Sequence, residues 1–354
     1  MKGVDCMSKD IGIDLGTSSV LVYVKDKGIV LREPSVVAID KNTNRILKVG
    51  SEAQIMLGRT PGNIIAVRPL RDGVISQYEI TLRMIQYFIK KACGTMLFKP
   101  RVIICVPSGI NEVEERAVID AGINAGAKRT YLIEEPVAAA IGAGINISGP
   151  NGSMVVDIGG GTTDIAVLSL GGVVVSESIK IAGNRFDDAI IRYVKKMQNV
   201  LIGENTAERI KIRIGQAAPS ETYIRNTGKL SYSNTNPVLQ EKGRCLITGL
   251  PKMVEISSSD TSRALEGPVN AIIEAVCSVI ERTPPELIDD ILRNGIVMTG
   301  GGSLLHGLSS RIAEETGIKV RIAKNPISCV AIGTGKSLEN ITSMRNTITS
   351  RYYD

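Results

Sequence analysis

A chain of 354 residues with 43% hydrophobic and 22% charged residues is long enough for a substantial core and is expected to hold two domains. Its net charge of +6 is spread along the sequence, and three Phe, nine scattered Tyr and no Trp leave no base-stacking platform, so direct nucleic-acid binding is not expected. No apolar run approaches the ~18 residues of a membrane span, and the opening MKGVDCMSKD lacks a signal-peptide pattern.

Six dispersed cysteines without a CxxC pair favour reduced, mostly buried thiols in a cytoplasmic protein. A single histidine, His306, excludes His-rich metal sites and reads as a surface or loop residue.

Along the chain, Gly12–Asp14, Val20–Val24 and Ile29–Leu31 read as short strands, followed by the extended PSVVAID. Residues 79–92 carry Ile85, Phe88, Ile89 and Ala92 at helical spacing. RVIICVP at 101–107 reads as a fully buried strand. The next segment opens on Asn111 as a helix cap, with acidic residues in the first turn.

GSMVVDIGGGTTDIAVLSLGGVVVSESI then restarts the opening strand–turn–strand pattern. The helix after it places Phe186, Ala189, Ile190, Tyr193 and Met197 on one face. A second strand–helix series ends in NGIVMTGGGSLLHGL, and the tail SMRNTITSRYYD is expected to be polar and loose. This repetition predicts two similar α/β domains facing each other across a cleft.

The chemistry is concentrated in two turns, GIDLGTSS ending at Ser19 and VVDIGGGTTD ending at Asp164. Each apolar strand delivers an aspartate beside a loop of glycines and hydroxyls. Glycines let backbone N–H groups approach phosphate oxygens, and the hydroxyls donate further hydrogen bonds. A carboxylate repels phosphate but can hold the hydrated Mg²⁺ that bridges phosphates. Ordinary tight turns would explain one such motif, but equivalent places in two repeats point to a polyphosphate clamp. Neither turn fits GxGxxG opening a helix, because each runs straight into another strand. GTGKS at 333–337 resembles a P-loop end, but Val330 stands where the first glycine is required.

With these residues in view, the chain resembles the actin, sugar-kinase and heat-shock-chaperone ATPase superfamily. The two turns are similar to its phosphate motifs, MTGGGSLL to its adenosine motif and EEPVAAAIGAG to its connecting helix. Within the superfamily it resembles the MreB family of bacterial actins from residue 11 to about 340. The most specific stretches are MLGRTPGNIIAVRPLRDGVI, KPRVIICVPSGINEVEERAV, GNRFDDAIIRYV and TAERIKIRIG.

The resemblance implies an actin-like ATPase fold: two duplicated α/β domains, in four subdomains, around a nucleotide cleft. Domain I would span 1–149, with an insertion at about 33–75 and completion by about 326–343. Domain II would span 150–325, with an insertion at about 183–254, and 344–354 would form the tail. ATP or ADP with Mg²⁺ is the implied cofactor. Asp14 and Asp157 would act on Mg²⁺ through water. Gly16, Thr17, Ser18, Gly159, Gly160, Gly161, Thr162 and Thr163 would hold phosphates. Gly300, Gly301 and Gly302 would pass under the nucleoside, and Glu208 and Lys211 would lie on the adenine and ribose side.

Glu135 matches the family's catalytic glutamate and Thr162 its water-orienting threonine; Glu134 is the weaker candidate. Without the resemblance, Glu135 reads as a carboxylate favoured by a helix N-terminus. The implied function is slow ATP hydrolysis coupled to homopolymer filaments, double and antiparallel, on the inner face of the cell membrane, maintaining cell shape. A RodZ-like membrane protein and the cell-shape machinery are the implied partners. Met96, Leu97 and Phe98, flanked by Lys99 and Arg101, are a candidate membrane-inserting loop. They read equally well as a lead-in to the next strand.

GTSS replaces the GTAN of many relatives, and AGNRFDD departs from a common double-glycine pattern, which affects expected contacts across the cleft. A small-molecule kinase on the same fold would need a second substrate pocket. A chaperone-type ATPase would need a further domain after about residue 340, and a plasmid-segregating actin fits the chemistry but not the MreB-like stretches.

Overall fold

A computed structural model of the protein describes residues 10–94, 99–217, 236–339 and 348–349. Met96, Leu97 and Phe98 lie outside the described residues.

The first domain carries β1 (Asp10–Leu15), β2 (Ser19–Val24), β3 (Gly28–Pro34), β4 (Val37–Asp40), β5 (Ile46–Val49), β6 (Ile64–Val67), β7 (Leu70–Arg71), β8 (Val74–Ile75), β9 (Arg101–Val106) and β10 (Arg129–Glu134). The second domain carries β11 (Ser153–Ile158), β12 (Thr163–Ser169), β13 (Gly172–Ile179), β14 (Val200–Leu201), β15 (Val238–Cys245), β16 (Pro251–Ser257), β17 (Ile296–Thr299) and β18 (Val320–Ile322). The last strand, β19 (Ile348–Thr349), returns to the first domain and pairs antiparallel with β10. Part of the tail is therefore an edge strand, which its polar composition did not suggest.

The main sheets are β19-β10-β9-β1-β2-β3 and β13-β12-β11-β17-β18. Their connectivity is the same. In each, the first strand pairs antiparallel with the second, the second antiparallel with the third, and the first parallel with a strand reached through helices. Even the register shift recurs in the second pairing, at Val22/Tyr23 and at Val167/Leu168. The repetition read from sequence is thus a duplicated topology. A small sheet β5-β4-β6 rides on the first domain and β14-β15-β16 on the second.

Strand order explains the burial. In β9, the continuous run from Val102 to Val106 is buried because neighbours flank it on both sides, as in a parallel sheet covered on both faces. Helix Tyr78–Cys93 buries Met84, Ile85, Phe88 and Ile89 against this sheet's core. Helix Glu112–Asn124 starts at Asn111, whose side chain accepts from Val113 and Glu114 N–H while Glu114 returns to the Asn111 N–H.

In helix Gly183–Gln198 the buried stripe is Phe186, Ala189, Ile190 and Val194; Met197, expected inside, is 59% exposed. A strict i, i+4, i+8 row ends at Val194, one turn short of Met197. Burying side chains such as Phe186 and Ile190 contributes about 1.5–3 kcal/mol each and fixes the face.

The chain passes between domains through helix Glu135–Gly142 and returns through helix Cys329–Glu339. Their contact is made by small residues. A Cβ on Gly142 would overlap the Cys329 carbonyl, and one on Gly333 would overlap the Ala138 carbonyl. The glycine of GTGKS that invited a phosphate-loop reading is therefore a packing glycine inside a helix. Further out, Arg68 and Glu204 approach to 3.9 Å between the two domains.

Candidate functional site

β1 and β11 end at the same edge of their sheets, each placing an aspartate one residue before its last. The hairpins that follow, Gly16–Ser18 and Gly159–Thr162, meet across the gap. Gly160 and Gly161 lie so close to Ser18 and Thr17 that any side chain there would collide with them. The Ser18 hydroxyl donates to Asn184 Oδ1 at 3.1 Å, and Gly73 N–H donates to Thr17 Oγ1 at 3.0 Å. The start of helix Gly183–Gln198 is pinned under the second hairpin, Gly183 N–H donating to Gly159 O and Asn184 N–H to Gly160 O.

A cavity of about 1030 Å³ opens between the domains. Asp14, Gly16, Thr17, Ser18, Glu135, Asp157, Gly159, Gly160, Gly161, Thr162, Glu208, Lys211, Gly300, Gly301 and Gly302 all line it. The structure thus brings these residues together around one space. Thr163 is the exception: it is fully buried, its hydroxyl donates to Ile181 O at 2.7 Å, and it is not among the lining residues. Strand alternation explains this, since Thr163 is the first paired residue of β12 and faces the domain core. Glu134 also turns away from the cleft and accepts from the Ser108 hydroxyl at 2.6 Å. Lys211 lines the cleft but donates to Gly183 O at 3.0 Å and pairs with Asp187 at 2.9 Å.

The electrostatics are set by acids held away from water and beside one another. Burial pushes Asp14 up to about 7, although it keeps an open side toward the cleft; the Cys105 thiol, 3.5 Å from Oδ1, opposes this. Burial likewise raises Asp157 to about 7, against a hydrogen bond from Thr299 and with help from the Asp164 and Asp14 charges. Glu135 is raised well above the usual carboxylate range, by burial first and then by Asp164, Asp157 and Asp14. It sits in the first turn of its helix, where the dipole would favour the anion, so desolvation and like charge outweigh the helix terminus here. Among the described residues no lysine or arginine is a leading cause of these shifts.

This donor set fits a hydrated divalent cation. Two carboxylates line one cavity from its two sides and, among the described residues, neither makes an ion pair, a costly arrangement unless a cation or protons neutralise it. Among the described residues no three acid, thiol or imidazole ligands cluster closely enough to ligate a metal directly.

Several residues in the cleft or buried behind it carried no signal of their own. Asn184 and Thr299 sit where helix and strand ends happen to face the hairpins, a tertiary fact. Gln216 and His306 are bridged backbone to backbone at the other end of the cavity, beside Leu304, Leu305 and Ile327. His306 is an exposed loop residue, as expected, yet it also lines the cleft. Asp164 closes the quoted motif, but nothing in its spacing distinguished it.

Duplicated sheets, facing hairpins and a cleft between them define an actin-like protein. The MreB/Mbl protein family model matches residues 8–346, and the chain belongs to that family. It is 51% identical to the cell shape-determining protein Mbl of Bacillus cereus, over 94% of this chain and 97% of the relative. It is 48% identical to the cell shape-determining protein MreB of Escherichia coli, over 94% of each. Among solved structures it is similar to MreB5 of Spiroplasma citri bound to ADP, with TM-score 0.87, 37% identity and coverage of 96% of this chain and 98% of that one. A MreB5 structure bound to AMPPNP gives the same TM-score at 36% identity, with the same coverage. The MamK double helical filament, at 22% identity and TM-score 0.78 over 94% of this chain and 99% of that one, shares the fold.

Proposed function

We propose that this chain binds ATP or ADP with Mg²⁺ between its two domains, hydrolyses ATP slowly and polymerises into filaments that maintain cell shape. One observation carries the reading: two duplicated hairpins, each preceded by an aspartate at its strand end, close on one cavity that both aspartates line. The Spiroplasma citri relatives bound to ADP and AMPPNP support it.

The hairpin glycines and the hydroxyls of Thr17, Ser18 and Thr162 would hold phosphate oxygens. Asp14 and Asp157 would hold Mg²⁺ through water, the cation neutralising charge on the phosphates. The apolar end near Leu305 and Ile327 suits a flat base over Gly300–Gly302. Phosphoryl transfer to water depends mainly on positioning the nucleophile. Glu135 lines the cavity beside Thr162, so the two would hold a water in line with the terminal phosphate.

Filaments would be double and antiparallel, lying on the inner face of the cell membrane with a RodZ-like protein and the cell-shape machinery as partners. The membrane-contacting loop in this reading is Met96-Leu97-Phe98. Among the described residues no helix is long and apolar enough to cross a membrane.

Sedimentation and phosphate release with Mg·ATP test the proposal. Wild type should pellet and release phosphate without phosphorylating any small molecule. Glu135→Ala should bind and pellet while release falls by roughly 100-fold. Unchanged release removes Glu135 from the reaction, and a phosphorylated small molecule would identify a kinase instead.

A further inference from the structure

Asn184 stands in the first turn of helix Gly183–Gln198 and lines the cavity where the two hairpins meet. GTSS and AGNRFDD, both departures from the common family pattern, come together at this residue. The Ser18 hydroxyl donates to Asn184 Oδ1 at 3.1 Å. Gly160 leaves room for that hydroxyl, since a Cβ there would overlap Ser18 Oγ. Among the described residues nothing accepts from Asn184 Nδ2.

The backbone under this side chain is clamped. The peptide group joining Gly183 to Asn184 is held at both ends: its carbonyl accepts from Lys211 Nζ at 3.0 Å, and its N–H donates to Gly160 O at 2.8 Å. Lys211 is itself held by Asp187 at 2.9 Å. The preceding N–H, from Gly183, is spent on Gly159 O at 3.1 Å. The hairpin thus engages the first two N–H groups of the helix. What this turn has left for an anion is the side-chain amide.

A carboxamide has one accepting end and one donating end, and a serine hydroxyl has a single hydrogen. Donation of that hydrogen to Oδ1 turns the oxygen toward Ser18 and leaves the N–H groups for the cavity that Asn184 lines. The reverse orientation would set an oxygen against an anion. Neutrality also matters at this place, because Asp14 and Asp157 line the same cavity and a third carboxylate would add to the repulsion.

We infer that Asn184 is a phosphate-binding residue: its Nδ2 donates to a phosphate oxygen of the bound nucleotide, and Ser18 orients the amide for this from across the cleft. This rests on the proposed nucleotide reading and deepens it by naming a donor. Ser18 then serves the phosphate through the amide. Each hairpin contributes to one contact, the first by turning the side chain and the second by fixing its backbone.

The test titrates the full chain with Mg·ADP and with adenosine, which lacks phosphate, by competition against a fluorescent nucleotide analogue. Asn184→Asp keeps an oxygen for the Ser18 hydroxyl and replaces the donor with a second oxygen. Its Mg·ADP affinity should fall by at least about 10-fold, the scale of one hydrogen bond to a charged group, with adenosine affinity within about twofold of wild type. Asn184→Ala, which adds no charge, should also lose about 10-fold for Mg·ADP. Ser18→Ala should lose about 2- to 10-fold, and nothing further in the Asn184→Ala background.

Mg·ADP affinity within about twofold of wild type in Asn184→Ala overturns this inference and leaves the nucleotide reading standing. Loss in Asn184→Ala with full affinity in Asn184→Asp also overturns it, marking a residue that serves only as the Ser18 acceptor. So do equal losses for Mg·ADP and adenosine, the sign of a merely structural residue, or losses from Ser18→Ala and Asn184→Ala that multiply. A wild-type chain that does not bind Mg·ADP overturns the nucleotide reading and this one together.

Discussion

The Thr299 hydroxyl donates a 2.6 Å hydrogen bond to Asp157 Oδ1, and both residues are buried at the ends of the adjacent parallel strands β17 and β11. The bond aims the carboxylate, yet desolvation still dominates and raises it to about 7. The protein holds an acid in place at a cost to its own stability, a pattern that clusters at functional sites.

Asp157→Asn tests that directly. The amide oxygen can still accept from Thr299, while the buried charge is gone. The nucleotide-free variant should melt higher than wild type, and the gain in melting temperature on adding Mg²⁺ with ADP should shrink. Thermal melts with and without ligand, and with EDTA, measure both effects.

A pH dependence follows from the same groups. Burial raises Asp14 and Asp157 to about 7 and Asp164 to about 6, well above the usual aspartate value. The folded state therefore keeps protons that the unfolded chain has already released. Stability from these groups is full below the unfolded value and is lost as pH rises through about 6 to 7. Nucleotide-free protein should melt higher at about pH 6 than at about pH 8, whereas Mg²⁺-dependent ADP affinity should weaken at the lower pH. A melting temperature that rises across this interval would contradict the assignment.

The Ser18–Asn184 bond joins the domains at the mouth of the hairpins. Removing it with Ser18→Ala should cost about 0.5–1.5 kcal/mol of closure, the usual net worth of one hydrogen bond. The expected signature is faster release of a fluorescent ADP analogue in stopped flow, with little change in melting temperature.

Much of this was legible in the chain, for physical reasons. β1 and β11 are apolar runs closed by aspartate and glycine, a local pattern that needs no tertiary context, and the duplicated topology repeats that pattern. Thr163 was misplaced because a glycine-rich turn does not reveal which hydroxyl begins the next strand. Met197 was misplaced because helical spacing gives the stripe but not where the partner surface ends. Asp164 and Ser108 carry no joint signal at all, being 56 positions apart and meeting only through the tertiary fold. The β19 pairing was hidden by the tail's polar composition, since an edge strand two residues long needs no apolar alternation.

Gly142→Ala and Gly333→Ala probe the helix crossing between the domains. Either methyl would strike a backbone carbonyl with no flexible side chain to yield. Each should destabilise by about 1–3 kcal/mol, read as a lower denaturant midpoint. The loss should be smaller for an exposed glycine such as Gly203, which has nothing within reach of its Cβ.

That crossing also sets how relative motion of the two halves would be scaled. Backbone rests on backbone there, without the cushion of long side chains, so it acts as a fulcrum rather than a sliding surface. A tilt too slight to disturb the crossing grows with distance from it. The pair between Arg68 and Glu204, already stretched to 3.9 Å, is placed to register such a tilt as a made or broken contact.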